Sequence, residues 1–444
     1  MEPQDDILII GGGVIGVCSA YYLAGKGQRV TLVEQGDIAS GSSYGNAGLI
    51  VPSHSIPLAA PGVLTQGLRW LLDAESPFYI KPRFNFALFG WLLRFAAACR
   101  EGPMRRAIPV LRDLGQASLA LFDELAALDG LEFGYERRGS LLIYTTRRGY
   151  EGGVEEAHLL NEFDVAAQPL DAAQVHRLEP NVLPGIVGGV YFPTDTHLRP
   201  ADFVQGLAAH AEKTGACIRT KTEVLGLETS GRKVVRVKTT RGDFVPAQVV
   251  LAAGAWSPVV ARDLRLRLPI QAAKGYSVTI KRPDKSPTIP LLLGEARVAV
   301  TPMGDVLRLA GTLELAGLDL SINARRVAAI QRAARSTVPE LDQIEPLEIW
   351  RGLRPCTPDG LPIVGRARAF DNLIVAAGHA MVGMTLGPIT GKLVAQLACG
   401  ERPDMDVHAL RLERFRREGS TWIANSGFQS GSQYSEIEPS GGSG

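Results

Sequence analysis

The chain has 444 residues, room for two to four domains at roughly 100–200 residues each, with a globular balance of 45% hydrophobic and 21% charged residues. Its 47 basic and 46 acidic residues leave a formal charge of +1, so no bulk field draws nucleic acid. Five scattered cysteines (18, 99, 217, 356, 399) with no C-x-x-C pair exclude a disulfide scaffold and a structural zinc site. Glycine is in excess, with 49 residues against a usual ~7% of a chain, and without the three-residue period of collagen. Its causes must therefore be local.

Residues 7–25 are uncharged and apolar, but acidic Glu2, Asp5 and Asp6 precede them in place of the basic start of a signal peptide. They predict strand 7–10, a glycine turn and a helix to about residue 26, followed by strand 29–33 ending in Glu34. The turn reads Gly11-Gly12-Gly13-Val14-Ile15-Gly16, a G-x-G-x-x-G fingerprint with an acid about 20 residues on. Gly11 serves the tight turn, Gly13 the approach of backbone to a pyrophosphate, and Gly16 the packing of helix on strand. The helix start offers N–H groups to phosphate. Glu34 accepts from ribose hydroxyls and repels a 2′-phosphate, which points to a dinucleotide other than NADP.

A small, polar stretch follows at 38–48 and then a loop through Pro52, Pro57 and Pro61, where a nicotinamide enzyme would continue into a regular βα unit. The apolar run 84–99 is interrupted by Arg94 and is short for a membrane span. It reads either as a buried helix or as a membrane-surface patch exposing Trp91 and Phe95. Apolar spacing through Ile108, Leu111, Leu114, Leu121 and Leu125 predicts a helix over 105–129. Strands are predicted at 140–145, 189–192, 216–220, 248–252, 276–281 and 298–302, with helices over 201–214 and through about 397. The tail 425–444 is Ser/Gly-rich and reads as disordered and linker-like. No metal-ligand spacing and no nucleophilic triad is visible.

The order of motifs resembles the glycine oxidase/D-amino-acid oxidase group of FAD-dependent amine oxidoreductases over residues 6 to about 415. Several pieces are similar to bacterial D-amino-acid dehydrogenase of the small-subunit type: 43–48, 58–63 with Arg69-Trp70-Leu71, Lys274-Gly275-Tyr276, and Gly352-Leu353-Arg354-Pro355 with Thr357-Pro358-Asp359-Gly360. The resemblance implies an α/β architecture. A Rossmann-like, glutathione-reductase-type FAD domain is expected from 1–60, 197–262 and 350–415. An α+β substrate domain with a mixed sheet is expected from 61–196 and 263–349, with 416–444 as tail.

It also implies non-covalent FAD, although the similar sarcosine oxidases carry a cysteine link in the region of Cys356. Cofactor contacts are expected from Gly11, Gly13, Val14, Ile15 and Gly16, from Glu34 and Gln35, and from Ser42, Ser43, Asn46, Ala47, Gly48 and Leu49. Further contacts are expected from Val224, Ala253, Gly254 and Trp256, from Gly352 and Arg354, and from Gly378, His379, Val382, Gly383, Met384 and Thr385.

In similar glycine oxidases the arginine of Gly-Leu-Arg-Pro binds the substrate carboxylate, which makes Arg354 the expected clamp; pairing with Asp359 is the competing reading. Their second arginine, two residues after Gly-His, is replaced here by Met381, which suggests a more apolar side-chain pocket. Tyr276, His379, His54 and Ser53 are further pocket candidates, and Arg351 a weaker one. The implied activity is oxidative deamination of a D-amino acid to a 2-oxo acid and ammonia, with electrons passed to a quinone or another carrier. Alternatives are an O2-using oxidase of glycine, D-amino acids or secondary amines, and an electron-transfer subunit without amine activity. The expected location is the cytoplasm with peripheral contact at the inner membrane; oligomeric state is left open.

Overall fold

The computed structural model describes residues 7–70, 76–81, 85–335, 337 and 344–415. The predicted tail beyond 416 and Leu71 of the 58–71 segment lie outside them. Ile7–Ile10 forms the centre of a six-stranded sheet in the order Ile363–Arg366, Leu373–Ala377, Gln248–Leu251, Ile7–Ile10, Val30–Val33 and Cys217–Arg219. All its pairs are parallel except that of the first two strands. Short apolar strands buried on both faces suit a parallel sheet covered by helices.

The first of these helices, Val14–Gly25, packs against Pro200–Lys213 and Gly387–Ala398. Its contact with Gly387–Ala398 is close because glycine leaves the space. A Cβ on Gly391 would lie 2.5 Å from the Cys18 carbonyl carbon. The helix Glu101–Ala126 continues the same core through Leu111, Leu114, Leu121 and Leu125.

A second, nine-stranded mixed sheet runs in the order Glu348–Cys356, Gln271–Lys281, Val306–Leu315, Val298–Met303, Leu291–Leu293, Ser140–Tyr144, Gly188–Phe192 and Gln168–Asp171. Phe78–Ile80 adds beside Val306–Leu315. The helix Ala324–Ala334 covers one face. The expected domain boundary at residue 350 falls inside Glu348–Cys356. That strand pairs continuously with Gln271–Lys281, which places Gly352 and Arg354 in the second sheet. The strand expected from Tyr276 begins at Gln271.

The apolar run forms the helix Phe86–Ala98, started by the Asn85 side chain accepting from Leu88 N–H. Its two faces are the reverse of the membrane-patch reading. Trp91 and Phe95 are buried, stacked at 5.1 Å, and Trp91 Nε1–H donates to the Cys356 carbonyl. The exposed stripe is Phe86, Phe89 and Leu93. Spacings of three and four residues put both sets on opposite sides of one helix, so an apolar run alone could not say which side faces inward. Among the described residues no helix is long and apolar enough to cross a membrane.

The Gly391 contact yields a stability prediction. Gly391→Ala forces backbone against backbone and should lower stability by about 1–3 kcal/mol. Urea unfolding checks it; an unchanged midpoint would show that the two helices separate at no cost.

Candidate active site

At the end of strand Ile7–Ile10 the chain turns at Gly11, whose φ is +116°. A Cβ there would meet the Ala252 carbonyl oxygen at 2.5 Å, so only glycine allows the approach to the neighbouring strand end. Gly16 sits behind the turn, its Cα facing the Gly11 carbonyl, and does not line the cavity. The Glu34 carboxylate receives Gly12 N–H on one oxygen and Gly36 N–H on the other, both at 2.7 Å. Each oxygen keeps a lone pair for a ribose hydroxyl. Val14 N–H donates to Ser43 Oγ (3.0 Å), and Asn46 Oδ1 accepts Gly48 N–H (2.9 Å), so the 38–48 loop is folded against the helix start.

These groups open into one continuous cavity of about 2030 Å³, against about 300–1,000 Å³ for an ordinary ligand pocket. It is lined by Gly11, Gly13, Val14, Ile15, Glu34 and Gln35, and by Ser42, Ser43, Asn46, Ala47 and Leu49. Val224, Ala253, Gly254, Trp256 and Gly352 line it as well, as do Val382, Gly383 and Met384. Three other expected contacts do not reach it. Gly48 (φ +73°) backs onto the Leu198 carbonyl, and Gly378 (φ +84°) turns toward Thr357. The Thr385 hydroxyl is occupied by Val51 N–H and lies behind the 49–51 segment.

Alternation along the second sheet separates the catalytic candidates. Arg354 lies over Gly275, where a Cβ would fall on its guanidinium, and it faces the cavity together with Gly352 and Trp350. Its one hydrogen bond goes from Nη1 to the Thr312 carbonyl (2.7 Å), and burial pushes its pKa down. Among the described residues no carboxylate pairs with it. Asp359, the competing partner, is held by Arg414 at 2.7 Å.

Tyr276 is one residue out of phase with Gly275. Its ring is buried in the cluster with Val278, Ile280 and Ile330, and its hydroxyl donates to Glu314 at 2.9 Å. Tyr276 borders the cavity, but its hydroxyl is engaged by Glu314 and its side chain is out of phase with Arg354 along the sheet. Arg351 shares this phase and donates from Nε to the Leu320 carbonyl.

His379 touches the cavity, but its Nε2 shares a hydrogen with Thr390 Oγ1 (3.0 Å) at the start of the helix Gly387–Ala398. Burial pushes its pKa down to about 3, so the ring is a neutral tether. His54 lines the cavity, and burial with the nearby Arg297 charge lowers its pKa to about 4. Ser53, beside it, donates from N–H and Oγ to the buried Asp195, which also accepts Ser140 Oγ–H (3.2, 2.7 and 2.6 Å). The Cys356 thiol is buried and pushed up to about 12. Met381 lines the cavity and is largely exposed.

Sequence reasoning missed several groups. Arg308, nearly buried on Val306–Leu315, donates from Nη1 to the carbonyls of Tyr44 and Asn46 (both 3.1 Å) and from Nε to Thr279 Oγ1. It bonds the second sheet to the 38–48 loop. Arg148, Glu156 and Arg297 form a polar part of the cavity wall. Leu64, Trp70, Phe78, Phe89, Trp91 and Phe95 form an apolar part. No local pattern marks Arg308, Arg148, Glu156 or Arg297, and the apolar run that contains Trp91 and Phe95 does not place them on the cavity wall; the grouping comes from pairings between distant strands.

The fold and the cavity define a dinucleotide-binding flavoprotein scaffold joined to a substrate sheet. The chain belongs to the FAD dependent oxidoreductase (DAO) family, whose description matches residues 6–397. It is 35% identical over 406 residues to the D-amino acid dehydrogenase of Methylobacterium nodulans, covering 90% of this chain and 96% of that one. It is 30% identical over 416 residues to the same-named protein of Granulibacter bethesdensis, covering 92% and 99%.

Among solved structures, glycine oxidase from Bacillus cereus superposes with a TM-score of 0.73 at 25% identity, covering 92% of this chain and 97% of that one. L-proline dehydrogenase from P. horikoshii shares the fold, with a TM-score of 0.72 at 20% identity, covering 94% and 98%. The residues present suit FAD. A glycine turn that excludes side chains, a two-lone-pair acid at the end of the second strand and a cavity larger than one small ligand match an extended dinucleotide.

Asp195 generates a pH prediction. Burial raises its pKa from 3.8 to about 6, so the folded state holds this proton more tightly than the unfolded chain. Its contribution to stability therefore falls as pH rises from about 4 to 6, by about 3 kcal/mol, and is flat above. Asp195→Asn should remove that slope. A Tm-against-pH curve identical in both proteins would refute the assignment.

Proposed function

We propose that the protein catalyses oxidative deamination of D-amino acids to 2-oxo acids and ammonia. The observation that carries this reading is Arg354, an enclosed guanidinium that faces the cavity with one neutral carbonyl partner and, among the described residues, no acid. A planar cation left in that state suits a bidentate carboxylate supplied by substrate. The same-named relatives, 35% and 30% identical over nearly the whole chain, support the reaction class.

FAD, when bound in the cavity, supplies the redox chemistry by accepting a hydride from the substrate Cα at N5. The chain supplies position. Arg354 fixes the carboxylate, and the rigid strand pair Gln271–Lys281 and Glu348–Cys356 holds that arginine. Neutral His54 and His379 add no positive charge against the amine, and a neutral amine is the form that releases hydride. Binding of FAD is proposed as non-covalent, because a thiol pushed up to about 12 stays protonated and is a poor nucleophile. The electron acceptor is proposed as a quinone or similar apolar carrier, supported by the apolar wall of Trp70, Phe78, Phe89 and Trp91, which is continuous with the cofactor cavity. The exposed Phe86, Phe89 and Leu93 stripe supports peripheral membrane contact.

Anaerobic addition of a D-amino acid should bleach the flavin, and a quinone should re-oxidise it faster than air. Failure of every D- and L-amino acid to bleach it overturns the reading, and rapid re-oxidation by air makes the protein an oxidase. Arg354→Met should lower kcat/KM by about 10²–10⁴ with FAD retained, since each charged hydrogen bond contributes roughly 1.5–3 kcal/mol. A loss below tenfold would remove Arg354 from the site.

A further inference from the structure

The polar part of the cavity wall comes from the helix Arg147–Glu162 and the turn that enters the strand Val298–Met303. One acid there is already engaged. The Glu295 carboxylate accepts from Thr145 N–H, Thr146 N–H and Thr146 Oγ–H at 2.9–3.3 Å, and so belongs to the helix start. The side chains of Arg148, Arg297 and Glu156 have no hydrogen bond or ion pair among the described residues, although all three residues line the cavity. Arg297 and Glu156 are near enough to influence each other but not paired. Arg297 thus stands near Glu156 without a bond to it.

Arg297 and Arg354 line the same cavity. Arg354 lies on Glu348–Cys356 and is held by the Thr312 carbonyl, whereas Arg297 lies in the turn between Leu291–Leu293 and Val298–Met303 and is exposed. His54 lies within reach of the Arg297 charge. Arg297 holds a left-handed backbone (φ +54°) in its turn.

We propose that Arg297 forms a side-chain anion subsite and that the favoured substrates are dicarboxylic D-amino acids, with Arg354 on the α-carboxylate and Arg297 on the second one. This rests on the oxidative deamination reading for its substrate class; the anion subsite itself does not. The outcome differs from the apolar side-chain pocket that Met381 suggests by sequence.

The test uses the FAD-loaded protein. With a dye acceptor, kcat/KM for D-glutamate should exceed that for isosteric D-glutamine at least tenfold. Arg297→Met and Arg297→Gln should each shrink that ratio at least tenfold, mainly through KM, with Arg297→Lys retaining part of it. Independently of turnover, glutarate should perturb the flavin spectrum at a concentration at least tenfold lower than butyrate, and the Arg297 variants should abolish the difference. FAD stoichiometry confirms that each variant is folded. If D-glutamate and D-glutamine are used equally, or the ratio is unmoved in the variants, the subsite is refuted while amine oxidation stands. If the glutarate preference depends on Arg297 but no D-amino acid reduces the flavin, the subsite stands and amine oxidation is refuted.

Discussion

Arg308 spans the boundary on which the site depends. Its guanidinium leaves the second sheet and donates to the carbonyls of Tyr44 and Asn46 in the loop that follows the cofactor acid. Ser42 Oγ–H answers from the loop by donating to the Leu353 carbonyl, one residue from Arg354. Trp350 fills the space over Gly45 and Gly352, where any side chain would clash with its ring. These contacts fix the distance between a loop that belongs to the dinucleotide sheet and the strand that carries Arg354. Without them the cavity would be two separate surfaces. A buried arginine on backbone carbonyls suits this task, because carbonyls have lone pairs to spare and the planar fork sets direction as well as distance.

The part of this arrangement that could be read in the sequence is the part made by neighbours in the chain. Strand, glycine turn, helix and second strand with Glu34 at its end follow from apolar runs and glycine spacing within about 30 residues. The second sheet was visible only as fragments. Its order joins residues 78–80 to 313–315 and 141–143 to 291–293, and no local pattern encodes such pairings. Tyr276 shows the consequence. Its motif placed it on the right strand, but only the position of Gly275 beneath Arg354 says which face looks into the cavity. Trp91 and Phe95 show it again on a helix, where the apolar stripe was evident and its inward side was not. Arg297, Arg148 and Glu156 carried no signal, since isolated charges in turns and on helix surfaces are ordinary until a sheet brings them to one wall.

The two faces of the second sheet treat charge in opposite ways. On the face toward the helix Ala324–Ala334, Lys274, Glu314 and Arg326 are all buried, with Asp319 at the edge. Lys274 Nζ reaches Asp319 at 3.2 Å and the Ser321 carbonyl at 2.9 Å, while Glu314 takes the Tyr276 hydroxyl and lies 3.8 Å from both Lys274 and Arg326. That cluster neutralises itself, and removing one member would strand the others at a cost of several kcal/mol. It needs no ligand and is best understood as structural.

The cavity face has no such closure at Arg354. Arg308 is satisfied by carbonyls, but among the described residues Arg354 has no acid beside it, and desolvation of a guanidinium without a counter-charge destabilises the folded protein. The cavity lining as a whole is balanced, with Glu34, Glu156, Glu223, Asp263 and Glu295 beside Arg148, Arg262, Arg297, Arg351 and Arg354. What is unmatched is local: the Arg354 guanidinium has a neutral carbonyl where the opposite face would supply a carboxylate. A substrate carboxylate would complete that pairing, which is why the reading of the site rests on this one arginine.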